Sequence, residues 1–190
     1  MALPTHIRQA PTPQELEYIT GEIIVAIEPL FRMEKVRLVS GVYGPFRPPI
    51  KTRVPLWLAQ SLKLKRKCRI VPPDWFTVDF LTIRLQQETS QVELSKMPFR
   101  YAEISKVLLD VAPDDIMDPD KIRILLKDIR EARQAKCRSL LLGLDGSYLP
   151  TTNLCSMEIS EIRLFFSKAM GIIEKLTLEV PQEDEAMSDS

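Results

Sequence analysis

Histidine is almost missing from this chain, whose 190 residues include only His6, near the start of the sequence. Hydrolytic triads and cysteine–histidine dyads need an imidazole held rigidly beside the nucleophile, and nothing around His6 would hold one. Cysteine is also scarce. Cys68, Cys137 and Cys155 are odd in number and widely spaced, and do not supply the paired ligands of a structural zinc. They read as small buried hydrophobes in a reducing compartment. With 6 glycines in all, neither the dinucleotide fingerprint nor a P-loop occurs. Charge of one sign is lacking too: 26 basic residues balance 26 acidic ones, so no overall field draws the chain to nucleic acid or an anionic membrane. No apolar run approaches the roughly 20 residues that span a bilayer, and Met-Ala-Leu-Pro-Thr-His lacks the opening of a signal peptide. These absences argue against an enzyme, a metal site, a cofactor, a small-molecule ligand and a membrane partner. They point to a soluble intracellular protein.

What the chain does contain changes character along its length. Thr12-Pro13-Gln14-Glu15 is a capping box with proline at the first helical position, starting a short helix that Gly21 ends. The β-branched run Ile23–Ile27 reads as a strand, and Val36–Val42 as a second. An irregular loop rich in glycine and proline follows. The stretch Val54–Trp75 then marks the change from strands to helices. Pro55 is placed at the first position of a helix with an apolar front of Leu56, Trp57 and Leu58 and a basic end at Lys63, Lys65, Arg66, Lys67 and Arg69. Pro72-Pro73 stops what precedes it, and Asp74 or Thr77 starts the next helix. Pro55, Leu56, Trp57, Leu58 and Trp75 are expected to pack a domain junction. Helical periodicity continues through a segment carrying Leu81 and Leu85. A polar gap follows at 86–95, then a helix from near Pro98 with Phe99, Ile104, Val107, Leu108 and Val111 on one stripe.

Asp118-Pro119-Asp120 is a strong helix start. The helix it opens carries Ile122, Leu125, Leu126 and Ile129 on one face and the cations of Lys121–Arg138 elsewhere, until Gly143 and Gly146 end it. A last helix, with Ser156 as its cap, is apolar around most of its circumference and should be wrapped by other helices or another chain. The tail from 181 is acidic and expected to be disordered. The expected fold is α+β, mainly α: a small β-rich domain at 1–53 with a short N-terminal helix, an α-helical bundle domain at 54–180, and the tail at 181–190. Asp114-Asp115 and Asp118/Asp120 are read as helix caps in preference to a cation site. The basic helix is open to three readings: phosphate contact, a solvated face with pairs such as Lys127 with Glu131, or arginines meeting carboxylates of a neighbouring subunit. Phosphate contact ranks last because no exposed aromatics interleave with the cations.

The junction block also resembles a known family. Val54-Pro55-Leu56-Trp57-Leu58-Ala59, Leu62-Lys63, Lys67-Cys68 and Pro72-Pro73-Asp74-Trp75 are similar to the signature of the GINS complex subunit family called Partner of Sld Five, member two. Ile122-Arg123, Leu125, Lys127-Asp128-Ile129, Arg133, Ala135-Lys136 and Arg138 agree, as do Asn153-Leu154 and Met157-Glu158-Ile159. The resemblance implies a non-catalytic structural subunit of a heterotetramer with three sister GINS subunits. Through that complex it would join the MCM ring and a third component as the replicative helicase, in the nucleus and on chromatin during replication. DNA would be touched at most indirectly. The subunit interface is then expected at Ile129, Arg130, Arg133, Lys136, Ile162, Phe165, Phe166 and Ile173. The alternative is a nucleic-acid-binding module acting through Lys121–Arg138, with Lys63, Lys65, Arg66, Lys67 and Arg69 as further contacts.

Overall fold

Thr12 starts helix α1 (Pro13–Thr20) through the capping box its sequence announces: the Glu15 N–H donates to Thr12 Oγ1 at 3.3 Å, and the Thr12 N–H to Glu15 Oε2 at 2.7 Å. The computed structural model describes residues 11–142 and 152–178. The expectations for His6, for the linker from Gly143 to Pro150 and for the acidic tail fall outside them.

Strand β1 (Ile24–Pro29) is the middle of a three-stranded antiparallel sheet, between β4 (Thr52–Pro55) and β5 (Cys68–Val71). Its register sets Ile27 opposite both Thr52 and Ile70. Alternation then turns Val25, Ile27, Val54, Cys68 and Ile70 into the core and leaves Arg53 and Arg69 exposed. The expected strand Val36–Val42 is in fact a hairpin, β2 (Val36–Leu38) and β3 (Gly41–Tyr43). Gly41, at φ +152, supplies a backbone angle that a side chain would resist.

Pro55 closes β4, and helix α2 (Leu56–Leu64) begins one residue later than expected. The helix has no side-chain cap. Two of its orphan N–H groups instead find carbonyls leading into β1: Leu56 donates to Ile23 at 2.8 Å and Trp57 to Gly21 at 3.0 Å. The basic run is not a helix end throughout. The chain turns at Arg66, φ 55, and β5 adds the third strand. The expected division at 53/54 therefore falls inside β4, with β5 beyond it.

Pro72-Pro73 leads by a turn into α3 (Val78–Ser90), which Thr77 caps through its hydroxyl. That helix runs into the expected polar gap. Helix α4 (Tyr101–Val111) buries Ile104, Val107 and Leu108 as expected, but Phe99 lies before it and is exposed. A short 3₁₀ turn (Pro113–Asp115) leads to α5 (Pro119–Leu142), and α6 (Ser156–Leu178) completes the described chain. Ser156 is the first residue of α6 rather than its cap. Among the described residues no helix is long and apolar enough to cross a membrane. The sheet residues Ile27, Val54 and Ile70 share one continuous core with Leu81, Leu108, Ile122 and Ile129 of the helices, so the β-rich part leans on the helical part, as its size demands.

Asp115 fastens the two parts electrostatically. Its carboxylate, 7% exposed, accepts the Ile70 N–H of β5 at 2.7 Å and lies 2.7 Å from Lys63 Nζ. Asp114 adds a second contact to Lys63 at 2.8 Å. Neither aspartate is a helix cap. Asp115→Ala leaves a buried N–H and a largely buried ammonium short of an acceptor. Chemical denaturation should register a loss of about 2–3 kcal/mol, most of it recovered neither by salt nor by Asp114.

Candidate functional site

Helix α5 presents Ile122, Ile129, Arg133 and Cys137 along one line. All are buried, and Arg133 is fully so. Its guanidinium has an acceptor for every N–H. Nε and Nη2 grip Glu158 of α6 in bidentate fashion, at 2.6 and 2.8 Å. Nη1 donates to Glu88 of α3 and, at 2.9 Å, to the Ser95 carbonyl, while Nη2 also reaches the Asn153 carbonyl at 2.8 Å. Lys136 adds a 2.6 Å contact from Nζ to Glu88. Two carboxylates thus face two cations in a space with almost no water. Burial of ions on this scale is tolerated only when charges cancel and hydrogen bonds are complete.

The cluster joins four separate pieces of chain: α3, the segment carrying Ser95, α5, and the start of α6. Asn153 Nδ2 adds a 2.9 Å bond to the Leu94 carbonyl, and the Cys155 N–H donates to Glu158 at 2.9 Å, tying the entry of α6 to its first turn. A small apolar cluster of Leu94, Cys137, Leu154 and Ile162, with Phe166 against it, lies alongside. Burial raises all three thiols, Cys155 to about 12 and Cys68 and Cys137 to about 11. They stay protonated at neutral pH and act as the small hydrophobes their spacing suggested.

Burial alone would push the Glu88 carboxyl up, but hydrogen bonds from Lys136 and Ser95 and the Arg133 charge outweigh it, holding it below the usual glutamate value. A folded-state value below the unfolded one contributes stability that is complete above the unfolded value and is lost as pH falls through the folded one. Melting temperature should therefore fall as pH drops below about 4.3, the unfolded glutamate value, and that acid limb should be shallower in Glu88→Gln.

The expected interface residues are divided by these contacts. Ile129, Arg133 and Lys136 meet groups of their own chain, so the carboxylates expected from a neighbour are Glu88 and Glu158. Arg130 pairs with Glu161 at 3.1 Å. Ile162 is buried and Phe166 partly so. Phe165 stays 55% exposed. The Ile173 side chain is outside the described ones. Most other cations of α5 also have partners within the chain: Lys121 with Asp118, Arg123 with Asp120, and Lys127 with Glu131 at 3.7 Å as the sequence suggested. Lys63 is held by Asp114 and Asp115, which leaves Lys65, Arg66, Lys67 and Arg69 as the exposed part of the other basic run. Trp57 is only half-buried and Leu58 likewise, whereas Pro55 and Leu56 are fully buried; Trp75 meets Phe76 edge-on at 5.3 Å.

Beside Phe165, which the sequence did point to, an exposed residue further along α6 was not expected. Ile172, seven residues after Phe165 and on the same side of the helix, is 59% exposed. At Gly171 an added Cβ would meet nothing within 4 Å. An open-sided glycine inside a helix is unfavourable by about 1 kcal/mol against alanine. Helix α6 is thus anchored firmly by its first turns and offers apolar surface beyond them. The seven-residue spacing was the available signal; exposure was not.

The chain is similar to known proteins over most of its length. A family model described as the PSF2 N-terminal domain matches residues 12–71, and one described as the GINS complex protein helical bundle domain matches residues 75–177. The DNA replication complex GINS protein psf2 of Schizosaccharomyces pombe is 40% identical over 184 residues, 97% of this chain and 100% of the relative. The PSF2 protein of Xenopus laevis is 37% identical over 92% of this chain and 96% of its own length. The human PSF2 protein is 36% identical over 85% and 90% respectively.

Proposed function

Because the chain belongs to the PSF2 family of GINS complex proteins, we propose that it is a non-catalytic structural subunit of a heterotetrameric GINS complex acting in DNA replication. Its partners are three sister subunits. Through the complete assembly it holds the MCM ring and a third helicase component during initiation and elongation, in the nucleus and on chromatin. The observation that carries this reading is the exposed Phe165–Ile172 line on a helix whose first turns are locked to α3 and α5. A permanent partner that covers such a line removes apolar area from water, and obligate interfaces are built mainly on that gain. Gly171 lets a second helix come close.

The residues expected at the interface then do two kinds of work. Phe165, with Ile172, meets the partner directly. Ile129, Arg133, Lys136 and Ile162 act behind the surface by fixing α6 in place. The division of the chain belongs to the same proposal: the turn at Pro72-Pro73 separates the units, with Trp75 just beyond it and, in the first unit, Pro55 closing β4 and Leu56, Trp57 and Leu58 between β4 and β5. A nucleic-acid role through α5 is the weaker reading, since most of that helix's cations face carboxylates of the same chain. A tagged chain co-expressed with the three sister subunits should retain all of them through a high-salt wash, because the contact is apolar. Recovery of the tagged chain alone would overturn the proposal.

A further inference from the structure

Helix α1, the β2–β3 turn and the start of α2 enclose an open groove of about 830 Å³. Its walls are apolar in a way an ordinary surface is not. Tyr18 is 82% exposed and Val39, at the tip of the hairpin, is fully exposed, while Leu38 and the ring of Trp57 are half-buried beside them. Single exposed hydrophobes are unremarkable, but several converging on one concavity mark a binding surface. The floor is fixed before anything binds. The Trp57 N–H donates to the Gly21 carbonyl at 3.0 Å, and a Cβ at Gly21 would stand 3.0 Å from the Tyr18 carbonyl and 3.5 Å from Trp57 Cβ. That hydrogen bond ties the end of α1 to the start of α2, so binding has little ordering cost to overcome.

The charge around the groove selects the occupant. Among the described residues its charged lining side chains are Glu17 and Glu22, with no lysine or arginine. Lys106 holds Glu17 from outside at 2.7 Å, which leaves the exposed Glu22 as the carboxylate of the rim without an ion-pair partner among the described residues. We propose that this groove docks a linear segment of another protein, one that inserts a large apolar side chain between Tyr18, Val39 and Trp57 and places a flanking lysine or arginine against Glu22. None of the residues lining the groove belongs to α6, so one chain can be held in its complex through the Phe165–Ile172 line and still recruit such a segment.

The test selects phage-displayed random peptides of about 12 residues on the assembled complex containing this chain, then measures fluorescein-labelled synthetic copies by anisotropy. Enriched peptides should share a leucine, phenylalanine or tryptophan flanked by basic residues. Val39→Asp, at a solvent-exposed tip where folding is barely affected, should weaken them by about tenfold or more. Glu22→Lys should weaken them by about tenfold and restore binding to copies whose basic flanks are replaced by glutamate. Deleting residues 1–10 should leave affinity unchanged. The proposal is overturned by acidic or absent consensus, or by unchanged binding in Val39→Asp. It is equally overturned if Val39→Asp cannot enter the complex, because a sister subunit then covers the groove, or if the deletion raises affinity by tenfold or more, because the chain's own start then fills it.

Discussion

Arg133→Ala should lower folding stability by about 3–5 kcal/mol, the usual consequence of stripping one partner from a buried ion cluster. The loss follows from what is left behind. Glu88 and Glu158, both buried, would keep as donors, among the described residues, Lys136, Ser95 and Cys155. Arg133→Lys should recover only part of the stability, since one ammonium cannot match the fork that reaches Glu158, Glu88 and two carbonyls at once. Replacing Arg133, Glu88 and Glu158 together by apolar residues of similar volume should recover much more, because the one charge then left, Lys136, is partly exposed and still donates to the Glu93 carbonyl. Urea titrations with circular dichroism distinguish these outcomes. A single alanine variant within 1 kcal/mol of the parent would mean that the cluster is not assembled as described.

The second large effect concerns assembly rather than folding. Phe165→Asp together with Ile172→Asp should leave the isolated chain's stability within about 1 kcal/mol of the parent, since both side chains are largely exposed. The same pair should abolish co-purification with the sister subunits. Two carboxylates would be carried into an apolar contact without partners, at several kcal/mol each, which exceeds what a standard interface has to spare. Normal folding with normal assembly would place the interface elsewhere on the molecule.

These two predictions rest on residues that local pattern treats very differently. The capping box at Thr12, the break at Pro72-Pro73 and the opening of α5 at Pro119 were legible because each depends on a few neighbouring residues. The overall order, a small sheet followed by helices, was legible for the same reason. Strand β5 was not: Cys68–Val71 carries an arginine and follows a basic run, and only pairing with β1 some forty residues earlier makes it a strand. Pro55 was displaced by one position because β4 uses it, a tertiary demand no local preference records. Arg133 is the plainest case. Its type assigned it to the basic face, yet it stands four residues after Ile129 and four before Cys137, on the apolar line. Glu88 likewise falls seven residues after Leu81 on α3. Charged residues in register with a buried stripe were the available signal for the cluster. Trp57 failed in the opposite direction, since an apolar type suggested burial where the structure gives it a groove to line.

The central claim is that this chain is one permanent member of a four-subunit complex, and native mass spectrometry of the chain co-expressed with its three sister subunits tests it most directly. The account predicts a single dominant species whose mass equals one copy of each subunit, with the Phe165→Asp/Ile172→Asp chain absent from it. A spectrum in which this chain flies as a monomer, or as a homodimer, while the sister subunits assemble without it would contradict the account.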